Sequence, residues 1–212
     1  MIRLNRLNPE DLLLYLCTDR VLSLGRPITE ALEAAIAGGI TMVQLREKNA
    51  STREFYDIAL EVQRITKKHN VPLVVNDRLD IALAIGAEGL HIGQSDMPLR
   101  IARRLAGEMM FIGVSAHTVE QARLAEQEGA DYLGVGAVFP TGSKADAAAI
   151  GLDRLREIRA AVKIPAVAIG GIGPANVSQV MATGIEGVAV ISAILSQGDI
   201  RSAAKNLRGL LG

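Results

Sequence analysis

Short polar stretches in this sequence carry residue types suited to binding anions and hard cations. Gln44-Leu45-Arg46-Glu47-Lys48 ends an apolar run, and a period of two puts Gln44, Arg46 and Lys48 on one face. An amide followed by two cations reads as an anion site; a surface ion-pair set on a strand end is the plainer alternative. Asn76-Asp77 and Gln94-Ser95-Asp96 each place one carboxylate just beyond an apolar run. Two lone carboxylates near Arg46 and Lys48 suit a magnesium ion that takes its other ligands from phosphate oxygens. The bland alternative is that each aspartate caps the helix after it.

Further along, Gly113-Val114-Ser115-Ala116-His117 offers a small hydroxyl that could bond a ligand or simply fill space. Thr141-Gly142-Ser143-Lys144 puts two hydroxyls and a lysine in a loop, where the lysine is either solvated or closes over a phosphate. Gly170-Gly171-Ile172-Gly173 and Ile191-Ser192-Ala193-Ile194 follow the last two apolar runs. Glycine lets backbone N–H groups approach a phosphate, although strand ends use glycine in any case. Among the three histidines, His91 reads equally as a packed side chain and a ligand contact. His117 is a possible acid or base at a loop, and His69 ends a polar helix at the surface.

These groups need a scaffold that brings eight strand ends together. Apolar runs at 13–18, 42–46, 73–76, 89–92, 111–115, 132–136, 166–170 and 188–192 read as strands. Between them lie segments of helical period, such as 51–70, where Phe55, Ile58, Ala59, Val62 and Ile65 recur at spacings of three and four. The segment 118–129 has Thr118 as a cap and Gln121 three residues on. Gly39, Gly86, Gly129 and Gly184 each close a helix just before a strand. Strict alternation of strand and helix implies a parallel sheet covered by helices. Eight units, no charged edge-like strand and no GxGxxG after strand one favour a closed (β/α)8 TIM barrel of one domain over an open doubly wound sheet. In such a barrel the chemistry sits at the C-terminal strand ends, and a phosphate site is frequent after strands seven and eight. The only long connection of loop composition, 139–150, lies on that face.

Composition narrows the partners. The 212 residues carry 23 basic and 23 acidic side chains, so no global field draws nucleic acid or a membrane. No signal-peptide run or uninterrupted membrane-length apolar stretch is present, and the reading is a cytoplasmic protein acting on small phosphorylated molecules. Cys17 is the only cysteine, which excludes an internal disulfide. Assembly into a homo-oligomer is left open.

The motifs Tyr15-Leu16-Cys17-Thr18-Asp19, Val43-Gln44-Leu45-Arg46-Glu47-Lys48, Asn76-Asp77-Arg78, His91-Ile92-Gly93-Gln94-Ser95-Asp96, Gly113-Val114-Ser115, Gly129-Ala130-Asp131-Tyr132-Leu133-Gly134 and Ala168-Ile169-Gly170-Gly171-Ile172 resemble, in order and spacing, those of thiamine phosphate synthases. The likeness runs over about 13–194. It implies a transferase that joins a pyrimidine diphosphate to a thiazole phosphate, releasing pyrophosphate, by a magnesium-dependent dissociative route. On that resemblance Gln44, Arg46, Lys48, Asn76, Ser115 and Lys144, with Leu45 and Glu47 of the same motif, contact the pyrimidine diphosphate. Arg46, Lys48, Ser115 and Lys144 serve the chemistry, and Asp77 and Asp96 hold magnesium. Thr141, Gly142, Ser143, Gly171, Ile191 and Ser192 bind the thiazole phosphate. The family loop commonly reads Thr-x-Thr-Lys, so Ser143 departs from it while keeping the hydroxyl.

The rival readings are a thiazole tautomerase on the same barrel, a phosphosugar-type barrel enzyme and a non-catalytic binding protein. A tautomerase would use His117 but has no use for Asp77 and Asp96. The strand-two cations argue against the phosphosugar enzyme, and a binding protein would have lost part of the charged set.

Overall fold

The computed structural model describes residues 7–142 and 149–212. Eight parallel strands close into a barrel in sequence order, β1 to β8. They are β1 Leu14–Cys17, β2 Met42–Leu45, β3 Leu73–Asn76, β4 Gly89–Ile92, β5 Phe111–Ala116, β6 Tyr132–Gly136, β7 Ala166–Ile169 and β8 Gly187–Val190. Closure is made by β1 pairing with β8, Leu14 opposite Val188 and Leu16 opposite Val190. Outside run α1 Ile28–Ala37, α2 Thr52–His69, α3 Leu79–Ile85, α4 Leu99–Ala106, α5 Val119–Gln127, α6 Gly151–Ala160 and α7 Val177–Met181. The short α8 Ser192–Leu195 and then α9 Ile200–Gly209 follow β8.

Strand alternation divides the core in two. Leu14, Leu16, Val43, Leu45, Val75, Leu90, Ile112, Leu133 and Val188 face outward and meet the apolar stripes of the helices. Tyr15, Cys17, Met42, Val74, Phe111, Tyr132, Val167 and Ala189 face inward and fill the barrel. The inner layer is aromatic where its neighbours are glycine. A Cβ on Gly113 would stand 2.1 Å from the Tyr132 ring, and one on Gly134 would stand 2.9 Å from His91 Cε1. These two glycines provide the room for Tyr132 and His91.

The helix stops read from the sequence are present: Gly39, Gly86, Gly129 and Gly184 all have positive φ. At α5 the Thr118 hydroxyl accepts from Gln121 N, but Gln121 Oε1 accepts from His117 N, one residue earlier than a reciprocal capping box requires. The last strand is shifted from its expected 188–192, spanning Gly187–Val190, so Ile191 lies beyond it and Ser192 opens α8. Strands β1, β2 and β7 each end one residue before the apolar run does, at Cys17, Leu45 and Ile169.

Beyond β6 the chain remains tied to β7, with Val138 N donating to Ile169 O and Phe139 N to Gly170 O. The returning chain is tied as well, Ile150 N to Ala137 O and Gly151 N to Val138 O. The long connection therefore has a hydrogen-bonded base on the mouth of the barrel.

Candidate active site

Two adjoining cavities open at the C-terminal strand ends, one of about 400 Å³ and one of about 560 Å³. Ser115, His117, Gly134, Ile169, Ala189 and Ile191 line both.

The smaller cavity gathers Gln44, Arg46, Lys48, Asn76, Asp77, Asp96 and Ser115. The side chains that alternation put on one face of strand two do share one space. Arg46 is held from β1, its Nη1 lying 2.9 Å from Asp19 Oδ2 and its backbone N–H donating to Thr18 Oγ1. Lys48 Nζ stands 2.6 Å from Asp77 Oδ2. Asp77 has φ +63, a left-handed conformation that aspartate tolerates better than most side chains. The turn is tight, with Arg78 N donating to Asn76 O. Neither aspartate caps a helix: α3 begins at an Arg78 N-cap and α4 at a Pro98 N-cap, both without a side-chain cap bond. Asp96 Oδ2 instead accepts from Gly93 N at 2.6 Å, folding the carboxyl back over its own loop.

Burial is the main force pushing the Asp96 carboxyl above the ordinary aspartate range. The Gly93 N–H opposes it, the neighbouring Asp77 carboxyl adds to it, and Lys48 offsets a little. Two carboxyls this close repel when both are ionised, and a cation between them removes the conflict. Among the described residues no group of three or more His, Cys, Asp or Glu side chains gathers at one point. A pair of oxygen donors beside an anion subsite fits magnesium, which is held through one or two carboxylates with water and phosphate oxygens completing the shell.

The larger cavity lies between β6, β7 and β8. Thr141, Gly171, Ile191 and Ser192 line it. Gly171 has φ +62, and a Cβ there would meet Pro140 O at 2.7 Å and Phe139 Cβ at 2.8 Å. Glycine thus lets the β7 loop pack directly on the base of the β6 loop. Ser192 and Ala193 open α8, where the first N–H groups have no partner within the helix. Backbone N–H groups, small side chains and a hydroxyl border this cavity and form a glycine-lined cup.

Some expected residues are elsewhere. Leu45 is fully buried in the outer core among the helices and lines neither cavity, because the residue between two inward ones must face outward. Glu47 also turns away: its Oε2 takes Arg20 Nε at 2.7 Å, and its Oε1 is buried without a hydrogen-bond partner. Burial pushes the Glu47 carboxyl up, with Arg20 pulling against it. Gly142 is exposed beside the cup and does not line it. Ser143 and Lys144 lie outside the described residues. His69 pairs with Glu33 on the outer surface, away from the mouth. His117 faces both cavities and donates through Nδ1 to Gly136 O. His91 is both packed and a lining residue, its two ring nitrogens engaged with Tyr132 and Ser115.

Four contributors escaped the reading of the sequence. Asp19 holds Arg46, and it sits just beyond a strand, where the other polar candidates were sought. Tyr15 and Tyr132 lie at inward positions of their strands, a signal that the alternation contains. Gln94 Nε2 donates to Ser115 O and so braces the end of β5.

The family model described as Thiamine monophosphate synthase matches residues 14–194. The chain belongs to that family. It is 54% identical over 199 residues to the thiamine-phosphate synthase of Clostridium tetani, covering 94% of this chain and 95% of that one. To the thiamine-phosphate synthase of Clostridium novyi it is 55% identical over 198 residues, covering 93% and 97%. The solved thiamine phosphate pyrophosphorylase from Pyrococcus furiosus superposes with a TM-score of 0.90 at 44% identity, covering 96% of each chain. Membership makes the protein an enzyme, a transferase on a (β/α)8 barrel. Among the described residues no helix is long and apolar enough to cross a membrane.

Proposed function

We propose that the protein condenses 4-amino-2-methyl-5-hydroxymethylpyrimidine diphosphate with a thiazole phosphate, giving thiamine phosphate and pyrophosphate. The observation that carries this reading is the pair of cavities meeting at Ser115, Gly134 and Ile169. One offers cations and paired carboxylates, as a diphosphate with magnesium requires. The other offers a glycine-lined cup, as a monophosphate requires. Two phosphorylated substrates set side by side across a shared wall are the arrangement a condensation needs.

The methylene carbon–oxygen bond breaks with its electron pair leaving on pyrophosphate, and the ring amino group helps to stabilise the pyrimidine cation. The thiazole nitrogen then supplies the electron pair for the new carbon–nitrogen bond. The leaving group gathers negative charge as the bond stretches, so groups fixed around it stabilise the transition state more than the ground state. Arg46, oriented by Asp19, and Lys48 supply that charge from β2. Ser115 adds a hydroxyl between the two subsites, and Lys144 is assigned to the same diphosphate. Magnesium held by Asp77 and Asp96 would neutralise further diphosphate charge. Thr141, Gly171 and Ser192 orient the thiazole phosphate, with Ser143 assigned beside them. The chain needs no nucleophile for this route.

Turnover of both substrates with and without magnesium tests the reading. Coupled appearance of pyrophosphate and thiamine phosphate, lost with chelator and restored by magnesium, is expected. Pyrophosphate release without a joined product, or unchanged turnover in chelator, would refute one half or the other.

A further inference from the structure

A chain of hydrogen bonds crosses the barrel interior beneath the two cavities. Gln44 Nε2 donates to the Tyr15 hydroxyl at 2.8 Å, and the Tyr15 and Tyr132 hydroxyls lie 3.0 Å apart. The Tyr132 hydroxyl is 3.0 Å from His91 Nδ1, and His91 Nε2 is 3.0 Å from Ser115 Oγ. Five strands contribute one residue each: β2, β1, β6, β4 and β5. Both tyrosines are fully buried, and burial holds their phenols protonated far beyond the ordinary range, so each has one proton to give.

That proton count fixes the direction of the chain. Tyr15 accepts from Gln44, so its own proton goes to Tyr132. Tyr132 already accepts from Tyr15, so its proton goes to His91 Nδ1. A proton on Nδ1 would leave the Tyr132 hydroxyl accepting twice with its own hydrogen buried and unpaired, which is costly. The neutral imidazole therefore carries its proton on Nε2 and donates it to Ser115 Oγ. We infer that this interior chain, anchored at Gln44, sets Ser115 as a hydrogen-bond donor toward the cavity rather than an acceptor. The half-buried Ser115 has its remaining hydrogen free to turn into the shared space, where it suits an anionic oxygen. Tyr15, Tyr132 and His91 are in this sense positioning residues, acting through Ser115. Gly113 and Gly134 are part of the device, since side chains there would collide with Tyr132 and His91.

The inference that Ser115 meets a diphosphate oxygen rests on the function proposed above, whereas the direction of the chain does not. Nitrogen-15 NMR of histidine-labelled protein, with His91 assigned through His91→Asn, reads the direction without substrate. A neutral ring protonated on Nε2 is expected; a ring protonated on Nδ1, or on both nitrogens, overturns the inference. Tyr132→Phe keeps the shape but removes the donor to Nδ1, so the two ring signals should draw together as both tautomers become populated. Tyr15→Phe cuts the chain one link earlier and should do the same, which covers the case of one variant failing to fold. An unchanged pattern in the folded variants also overturns it. With magnesium pyrophosphate as probe, Ser115→Ala should weaken binding roughly tenfold, the scale of a hydrogen bond to a charged group. Tyr132→Phe should weaken it less, and not further in the Ser115→Ala background. If Ser115→Ala binds pyrophosphate normally while Nε2 holds the proton, the chain stands and the placing of diphosphate at Ser115 falls.

Discussion

The ammonium of Lys48 lies 2.6 Å from Asp77 Oδ2, so a residue assigned to the diphosphate and one assigned to the cation hold each other. On the proposed function, magnesium at Asp77 would compete with that contact and free the ammonium for phosphate, which would couple metal and diphosphate binding through one side chain.

Lys48→Met should accordingly tighten binding of magnesium alone, by roughly two- to fivefold, the scale of a half-exposed ion pair. The same change should weaken binding of the diphosphate with magnesium. Calorimetric titrations with the metal alone and with magnesium pyrophosphate separate the two; equal changes in both would mean no coupling.

Asp96→Asn and Asp77→Asn should fold normally and lose at least an order of magnitude in turnover, as loss of even an outer partner of a metal site commonly costs that much. High magnesium should recover part of the loss. The amide oxygen of Asp96→Asn can still accept from Gly93 N, and the repulsion between carboxyls is gone, so its melting temperature without metal should not fall. Normal rates for both variants at low magnesium would remove these residues from the metal site.

Asp19→Asn should lower kcat by tenfold to about a hundredfold, since small misplacement of a clamp costs up to that much. Arg46 keeps its charge in this variant and loses only its tether. A rise in KM with kcat unchanged would instead show that Arg46 contributes uniform binding.

His117→Asn should reduce synthase turnover by less than about tenfold. Its Nδ1 is committed to Gly136 O, and the proposed bond exchange needs no titrating base. A loss of several orders of magnitude, with Asp77→Asn silent, would favour the isomerase reading instead.

The buried phenols predict an alkaline limit. Below about pH 10 they are protonated in both folded and unfolded chains and leave stability unchanged. Above it the unfolded chain releases phenolic protons that folded Tyr15 and Tyr132 keep, so stability falls as pH rises. Each phenol contributes a slope that starts near half of about 1.4 kcal/mol per pH unit at about pH 10 and approaches the full value above about pH 11. Tyr15→Phe and Tyr132→Phe should each remove one such slope in denaturant titrations between pH 10 and 11; an unchanged slope would contradict the burial.

How far the site was legible follows from periodicity. Alternation alone brings Gln44, Arg46 and Lys48 into one cavity, and strand ends locate Asp77, Asp96 and Ser115. The same alternation sends Leu45 outward, and a motif match that takes consecutive residues together ignores that. Glu47 illustrates a different limit, because its partner Arg20 comes from another loop and only the fold brings the two together. The Tyr15–Tyr132 bond joins residues 117 positions apart, and no local pattern marks that one phenol faces another. Helix caps were half legible: Thr118 caps as its type suggests, while Asp77 and Asp96, of equally suitable type, are drawn to Lys48 and to Gly93.

Closure of the barrel through β1 and β8 also orders events on the ribosome. The first strand made gains β2 early, but its other edge waits for Gly187–Val190. An open parallel edge is a template for pairing with other chains, so the nascent protein carries that hazard through most of its synthesis. Ile191 and Ser192 follow directly on the closing strand, so the larger cavity and the sealed barrel are completed together. A chain released before residue 187 lacks the strand that closes the barrel, and it leaves one edge of β1 open in place of a complete active-site wall.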